Sequence, residues 1–381
     1  MSSYPQALFC LLLTSLSLTA QQISGTVTDS LTGAPIPFAT VYFDGTTIGE
    51  TTNEEGRFTL AATSLRFPAT LIASHLSFGN KSVQLREARS SIHFALRPLT
   101  LTVAAVEVTD QNQRLKNLEE FRALFLGVDD WGRRATIKGE DALVFERQYR
   151  RKRLSNARIF FPDGKIPPTL KNARWADDGT TLLFEKANNL TAISNAPLEI
   201  DLPDLGYVLF VDLQQFRTDY SAGITNRLGT YFWQPYEGNN PEKAKKKHLK
   251  NRERAYYNSN VHFLRALFKD RLEEEGYAIY EVIGNDALPF ALNDYLVETD
   301  TDDKEIVGLE GRVLSILYYA DGRGRPLPKR KWKRASPIQS SLHIVGDRAA
   351  IRPDGTTGES PLLFGGAMGL RRAAWMLPGD Y

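Results

Sequence analysis

Histidine has the widest chemical repertoire of the side chains in this sequence, because imidazole binds metals and transfers protons near neutral pH. The five histidines are His75, His93, His248, His262 and His343. A zinc peptidase needs an HxxE pair or an HExxH helix, in which the ligands share one face. None of these histidines has Glu three residues later, and none lies within a helical turn of another. The sequence therefore argues against a metallocarboxypeptidase site, and we expect no metal and no cofactor.

Ser259 and His262 lie three residues apart, a separation at which a nucleophile and its general base can meet at the start of a helix. Ser259 is equally suited to cap a helix that we predict from Ser259 to Glu275, with His262 packed in its first turn. No G-x-S-x-G elbow accompanies the pair. Capping is the favoured interpretation, and Ser259 and His262 are the catalytic candidates that the sequence offers.

Basic residues form three runs, RQYRRKR from Arg147 to Arg153, EKAKKKHLKNRER from Glu242 to Arg254, and PKRKWKR from Pro328 to Arg334. Their anion-binding candidates are Arg150, Arg151, Lys245, Lys246, Lys247, Lys329, Arg330 and Lys331. The alternative interpretation of each run is a solvent-exposed face whose positive charge is balanced by nearby acidic residues. The formal net charge is only +2, so these clusters, and not the overall charge, indicate a partner.

Residues 1–20 read as a secretory signal peptide. An apolar core from Ala7 to Leu18 ends in Leu-Thr-Ala before Gln21, which fits the length and cleavage context of such leaders. The core is too short to span a bilayer, and no later window is long and apolar enough for a membrane helix. The only cysteine, Cys10, lies inside this segment. The mature chain would therefore lack the thiols needed for disulfides, thiolate metal sites or a cysteine nucleophile.

Apolar and polar residues alternate between Ile23 and Leu60, as they do in half-buried β-strands. Gly, Asn, Asp and Pro, which favour turns, are concentrated from Asp29 to Pro35 and from Thr51 to Gly56. Short strands separated by such turns are typical of a β-sandwich.

This stretch also resembles the carboxypeptidase-like regulatory domain. The resemblance rests on GxVxD at Gly25, Val27 and Asp29, on GAPIPFATV from Gly33 to Val41, and on TNEEGRFTL from Thr52 to Leu60. Asn53, where the family often has Asp, is expected to cap a turn. The resemblance implies a seven-stranded transthyretin-like β-sandwich near the N-terminus of a bacterial envelope protein, and it implies no catalytic residues.

A chain of 381 residues has room for two domains. We place the signal peptide at residues 1–20, the sandwich at 21–110, and an α+β domain with a mainly antiparallel sheet at 111–381. The segment from Leu101 to Thr109 is predicted as a last or connecting strand. Apolar residues at helical spacing then predict a helix that stops at Gly127. Further strands are predicted at Ala142 to Tyr149, Thr181 to Lys186, Leu190 to Ser194, Leu205 to Leu213, Gly229 to Trp233, Tyr277 to Ile283, Leu309 to Tyr319 and Leu342 to Ile351.

The second region resembles the C-terminal part of secreted bacterial proteins described only as carboxypeptidase-like regulatory domain-containing. The matching blocks are NLEEFRALFLG, LTAISNAPLEIDLPDLGYVLFVDLQQF, RERAYYNSNVHFLRALF, EEEGYAIYEV and MLPGDY. Within them, GYVLFVDL is almost continuously apolar and is expected to be buried on both faces. This resemblance implies architecture and compartment, and it implies no activity.

These features together predict an exported protein, in the periplasm or associated with the outer membrane of a bacterial envelope. The expected function is non-enzymatic binding or scaffolding, with an envelope protein, a glycan or an anionic lipid as partner and no nucleic acid. Two alternatives stay open. One is a hydrolase-type enzyme with its site in the second domain, and the other is a binder of anionic envelope surfaces that uses the basic runs.

Overall fold

The chain is mainly β, with several antiparallel sheets, as the alternating sequence predicts. The computed structural model describes residues 22–63, 65–88, 91–99, 111–236, 241–284, 286–357 and 362–381, and only the backbone of residues 241–244. It divides into two compact units, one holding the described residues up to Val41 together with Glu50–Pro98, the other holding Tyr42–Gly49 and the described residues from Leu99 onward. The predicted signal peptide and the predicted strand from Leu101 to Thr109 lie outside the described residues.

The N-terminal module contains two sheets, as expected for a β-sandwich. Its described strands are β1 (Gln22–Asp29), β2 (Thr40–Phe43), β3 (Gly49–Thr51), β4 (Arg57–Ala61), β5 (Ala69–His75), β6 (Phe78–Leu85) and β7 (Ile92–Leu96). The sheets have the orders β4-β1-β7 and β3-β2-β5-β6. Alternate residues face the interior, where Val27, Phe58 and Phe94 are buried. Asn53 accepts hydrogen bonds from the backbone N–H groups of Glu55 and Arg57, which confirms that it caps a turn.

The second unit begins with a helix layered on a long-stranded sheet. Its first elements are α1 (Gln111–Phe125), α2 (Asp130–Arg134), β8 (Thr136–Lys138), β9 (Leu143–Leu154), β10 (Lys171–Trp175), β11 (Leu182–Ser194), β12 (Leu198–Leu202), β13 (Tyr207–Asp219) and β14 (Ile224–Pro235). The strand order is β10-β11-β13-β12-β8, with β9 paired to β11 and β14 to β13. On β13, Leu209 and Val211 are fully buried, while Phe210 between them is partly buried. The Phe121 ring of α1 packs 5.0 Å from the Phe216 ring.

The rest of the second unit has two sheets and a hydrophobic core of its own. The elements are α3 (Pro241–Tyr256), α4 (Asn260–Phe268), β15 (Tyr277–Ile283), β16 (Asp286–Pro289), β17 (Leu296–Glu298), β18 (Lys304–Val307), β19 (Val313–Tyr318), β20 (Ile338–Ile344), β21 (Arg348–Ile351), β22 (Leu362–Gly365) and α5 (Gly366–Gly369). One sheet has the order β16-β15-β19-β20-β22, and β17-β18-β21 form another. The core of this half is built on Phe263, Leu267 and Tyr277.

The helix predicted from Ser259 to Glu275 starts as expected and ends early. Ser259 is the N-cap, but the helix stops at Phe268 and Lys269 is its C-cap. Asp270 then takes a φ of 54°, a left-handed conformation that ends helices. Leu272 still packs against the same core from the turn that follows. The apolar period therefore continues past the helix, and the sequence pattern overextends it.

The segment Tyr42–Gly49 belongs to the second unit although it lies early in the sequence. Asp44 Oδ1 accepts a hydrogen bond from the Tyr231 N–H at 2.8 Å, and the Gly45 N–H donates to the Tyr231 carbonyl at 2.8 Å. The Gly379 N–H donates in turn to the Gly45 carbonyl at 2.7 Å. The second unit is therefore built from two separated pieces of sequence.

Candidate functional site

Ser259 acts as a helix cap. Its Oγ accepts a hydrogen bond from the backbone N–H of His262 at 3.0 Å, and its own backbone is extended, as at an N-cap. This bond joins Ser259 to the main chain of His262 and not to its imidazole. The capping role favoured from the sequence is thus present.

The imidazole of His262 is buried and engaged at both nitrogens. Its Nδ1 accepts from the Asn258 N–H at 3.2 Å and from the Tyr277 hydroxyl at 2.8 Å. Because a backbone N–H can only donate, the ring proton lies on Nε2, which faces Glu275 Oε2 at 3.2 Å. Burial lowers the pKa of His262, and the Glu275 carboxylate opposes that shift. Ser259 and His262 are neighbours in this arrangement, but they do not form a nucleophile and base.

A cavity of about 630 Å³ in the second unit is lined by strands of both of its larger sheets, β14 from one and β20 and β22 from the other. Its walls come from the turn before β14, the end of α3, the start of α4, strand β22 and the C-terminal segment 370–381. Ser259 lies on its wall, whereas His262 is not among the residues that line it. Ligand sites are usually concave pockets of about 300–1,000 Å³ with a few placed polar groups, which makes this cavity the candidate functional site.

Arginine dominates the polar part of the cavity wall. The guanidinium groups belong to Arg227, Arg265, Arg371 and Arg372, and the described lining residues include no Asp or Glu side chain. Arg265 is committed to the main chain, since it donates to the carbonyl oxygens of Asp354, Gly379 and Tyr381. Arg371 donates to the Ala255 carbonyl. Burial lowers the pKa of Arg371 to about 10.

Arg227 and Arg372 are the two arginines without such commitments. Both are partly buried. Arg227 Nη1 contacts the Met376 sulfur at 3.3 Å, and its guanidinium lies 5.8 Å from the Phe125 ring. Burial lowers the pKa of Arg372, and the positive charge of Arg227 lowers it further. Within the described residues neither guanidinium forms an ion pair or donates to a main-chain oxygen, so both retain their charge and donors that a ligand can use.

A stacked tryptophan pair holds the segment that carries Arg371 and Arg372. The rings of Trp131 and Trp375 lie 3.8 Å apart with an interplanar angle of 21°. Trp375 Nε1 also donates to Asp129 Oδ2 at 2.7 Å. The other carboxylate oxygen of Asp129 accepts from the Trp131 and Gly132 N–H groups and so caps α2. These contacts fix the position of the arginines at the cavity.

A second cavity of about 640 Å³ provides a contrast. It is lined by residues of α1, α2, β8 and the turns next to them, among them Arg122 on α1 and Glu140 in the turn after β8. Arg122 forms a two-point ion pair with Glu140, so this cationic group is already neutralised by the chain. Among its described lining residues the first cavity has no such neutralising pair, which makes it the better candidate for an anion site.

The predicted basic runs lie on three different elements. Arg150 and Arg151 are exposed on β9, Lys245, Lys246 and Lys247 are exposed on α3, and Lys329, Arg330 and Lys331 are exposed in a 3₁₀ turn at Lys329–Arg334. Acidic neighbours balance part of this charge, through the pairs Lys247–Asp204 at 3.8 Å and Lys329–Glu273 at 2.5 Å. Across the described ranges, no hydrogen bond or ion pair joins one run to another. None of these candidates lines the arginine-rich cavity.

Sequence reasoning did not identify Arg227, Arg371 or Arg372. The signal available was the Arg371–Arg372 pair next to Trp375, but a pair of arginines is too common to indicate a site. In the part of the chain that the structure describes, no group of three or more His, Cys, Asp and Glu side chains is arranged to hold a metal ion. Every helix described there is too short or too polar to cross a bilayer.

Residues 23–113 match the family model of the CarboxypepD_reg-like domain. The N-terminal module is a CarboxypepD_reg-like domain. The match agrees with the resemblance found in the sequence and with the two sheets of the fold. The match ends at residue 113, near the start of α1, so the arginine-lined cavity lies in residues that the family model does not cover.

Comparison with curated proteins gives no match. Among solved structures, the chain is similar to a putative membrane-associated protein of unknown function from Bacteroides fragilis NCTC 9343, with 11% identity, a TM-score of 0.15, and coverage of 56% of this chain and 94% of that one. It is also similar to a 9R-lipoxygenase from Cyanothece PCC8801, with 10% identity, a TM-score of 0.17, and coverage of 91% of this chain and 42% of that one. At such TM-scores neither similarity carries an inference.

Proposed function

We propose that this is a non-enzymatic binding protein of the bacterial cell envelope, whose second unit binds a small anionic ligand in the arginine-lined cavity. The observation that carries this proposal is the Arg227–Arg372 pair on the cavity wall, which has no carboxylate partner among the described residues. The leader-like residues 1–20 and the N-terminal CarboxypepD_reg-like domain support export to the periplasm or to the outer-membrane surface.

The physical argument starts from the cost of grouped like charges. Two guanidiniums that are partly withdrawn from water repel each other more strongly than they would in bulk solvent. An anion between them removes that repulsion and accepts charge-assisted hydrogen bonds, each contributing about 1.5–3 kcal/mol. The planar fork of arginine matches the two oxygens of a carboxylate or phosphate. An anion is therefore the ligand that this wall recognises best.

The alternative of a hydrolase is less well supported by the geometry. Glu275, His262 and Tyr277 do place a carboxylate, an imidazole and a hydroxyl in one hydrogen-bonded chain. However, His262 and Tyr277 are 1% and 2% exposed, and neither lines the cavity. A general base must reach the proton that it removes from a substrate or nucleophile. This buried chain is therefore better suited to stabilising the fold.

Isothermal titration calorimetry with inorganic phosphate and with citrate tests the proposal. We expect both anions to bind the mature protein, and Arg227→Gln or Arg372→Gln to weaken binding by about tenfold or more, since each removes a charged donor. Arg330→Gln is the matched control, because Arg330 is exposed and outside the cavity. It should bind as the wild type does. The proposed function would be overturned if both cavity variants bound the anions with wild-type affinity, or if the wild type bound neither anion.

A further inference from the structure

The cavity also has an apolar wall, and strand β22 shows how it is built. Leu362 and Phe364 pack against the hydrophobic core of their half of the unit and also contribute to the cavity lining. Because side chains alternate across a strand, Leu363 faces the other way. Its cross-strand partner is His343, and both line the cavity. Met376 and Leu377 from the C-terminal segment line it as well.

We infer that the ligand is an amphiphilic anion, with a carboxylate or phosphate head at Arg227 and Arg372 and an unbranched acyl or alkyl chain along the apolar wall. The inference rests on the proposed function and adds the class of ligand to it. It follows from the two kinds of wall that one cavity of about 630 Å³ combines. Ligand sites of this size are mostly apolar, with a few polar groups that fix orientation.

The number of guanidiniums without main-chain hydrogen bonds limits how many oxygens of the head group the wall can bind. Arg265 donates to three main-chain oxygens, and Arg371 donates to a fourth. Arg227 and Arg372 remain, which is enough for one carboxylate or one phosphate. An extended polyanion longer than citrate would bring further charges to the apolar lining that includes Leu363 and Leu377, where they would lose water without gaining a partner. A single charged head with an apolar tail satisfies both walls.

Calorimetry with a series of ligands tests the inference. The series is acetate, octanoate, dodecanoate, dodecyl phosphate and the neutral dodecanol, each below its aggregation threshold. We expect affinity to rise from acetate to dodecanoate, by up to about fourfold for each methylene that becomes buried. We also expect dodecanoate or dodecyl phosphate to bind at least tenfold more tightly than dodecanol, and whichever binds better identifies the head group.

Two variants separate the head from the tail. Arg372→Gln should weaken the binding of dodecanoate and leave the binding of dodecanol unchanged. Leu363→Asn should reduce the increase in affinity that each added methylene gives. Val313→Asn is the matched control for the second change, because Val313 is an exposed apolar residue of β19 in the same sheet and does not line the cavity. Near-ultraviolet circular dichroism confirms that each variant is folded.

The outcomes distinguish the inference from the proposed function. If phosphate and citrate bind through Arg227 and Arg372 but chain length has no effect, the amphiphile is excluded and the anion site stands. If dodecanol binds as tightly as dodecanoate and Arg372→Gln changes neither affinity, the arginines do not recognise a charged head group and the inference is wrong. If no anion binds at all, both proposals fall.

Discussion

Replacing His262 by Asn tests the inference that the buried imidazole of His262 is neutral in the folded protein. Folded His262 accepts hydrogen bonds at Nδ1 and is held neutral by burial, so its pKa lies below the ordinary value of 6.5. In the unfolded chain the same group takes up a proton as the pH falls through about 6.5. The contribution of His262 to stability is therefore complete above that pH and is lost progressively below it. Asn keeps an acceptor near Nδ1 and cannot titrate.

The size of the effect follows from proton linkage. One proton taken up only by the unfolded state changes the free energy of unfolding by at most about 1.4 kcal/mol per pH unit. His248 contributes in the same direction, because burial lowers its pKa too. Between pH 6.5 and the folded pKa of His262, we therefore expect the free energy of unfolding to depend less steeply on pH in His262→Asn than in the wild type. The slope should decrease by up to about 1.4 kcal/mol per pH unit. It should not reach zero, because His248 still contributes.

Urea unfolding followed by tryptophan fluorescence measures this slope for the second unit alone. All five tryptophans lie there, at Trp131, Trp175, Trp233, Trp332 and Trp375. His343→Asn is the control, since it removes a partly buried histidine of the same unit. The variant will also lose stability at every pH because it leaves part of the ring volume empty. Only the slope is diagnostic, and an unchanged slope in His262→Asn would refute the reasoning.

Three further predictions concern stability and processing. Ser259→Ala should cost about 1 kcal/mol of unfolding free energy by removing the cap of α4, whereas Ser259→Asp should retain most of it, as urea titration will show. Asp129→Ala removes the cap of α2 and the hydrogen-bond acceptor of Trp375. It should lower the free energy of unfolding by about 2–3 kcal/mol and weaken phosphate binding. Asp130 is the adjacent exposed acid, and Asp130→Ala should have neither effect. N-terminal sequencing of protein from the native host should begin near Gln21; an intact Met1 would contradict export.

The sequence predicted the parts of the fold that local patterns encode. Alternation placed β15 at Tyr277–Ile283, and an apolar helical period ending at Gly127 located α1, where Gly127 takes a φ of 110°. The cap at Ser259 was also readable, because capping depends on neighbours within one turn. These features need no information from distant parts of the chain.

Other features depend on contacts between distant residues. The basic run from Glu242 to Arg254 forms α3, yet it has too few apolar residues to show a helical period. The candidate site is a further case, since Arg227 lies near the start of β14 and Arg372 lies near the C-terminal end of the sequence. Only packing brings them to one wall. No spacing rule connects two residues so far apart, and the sequence therefore offered Ser259 and His262 instead.

The placement of Tyr42–Gly49 matters for anyone who wishes to study the second unit by itself. A clone starting at Leu99 would omit a piece of that unit, and the Tyr231 N–H and the Gly379 N–H would lose the acceptors that Asp44 and Gly45 provide. The edge of β14 and the C-terminal tail beside the arginine-lined cavity would both be affected. Ligand measurements are therefore best made on protein that contains both units, with individual residues altered and neither half removed.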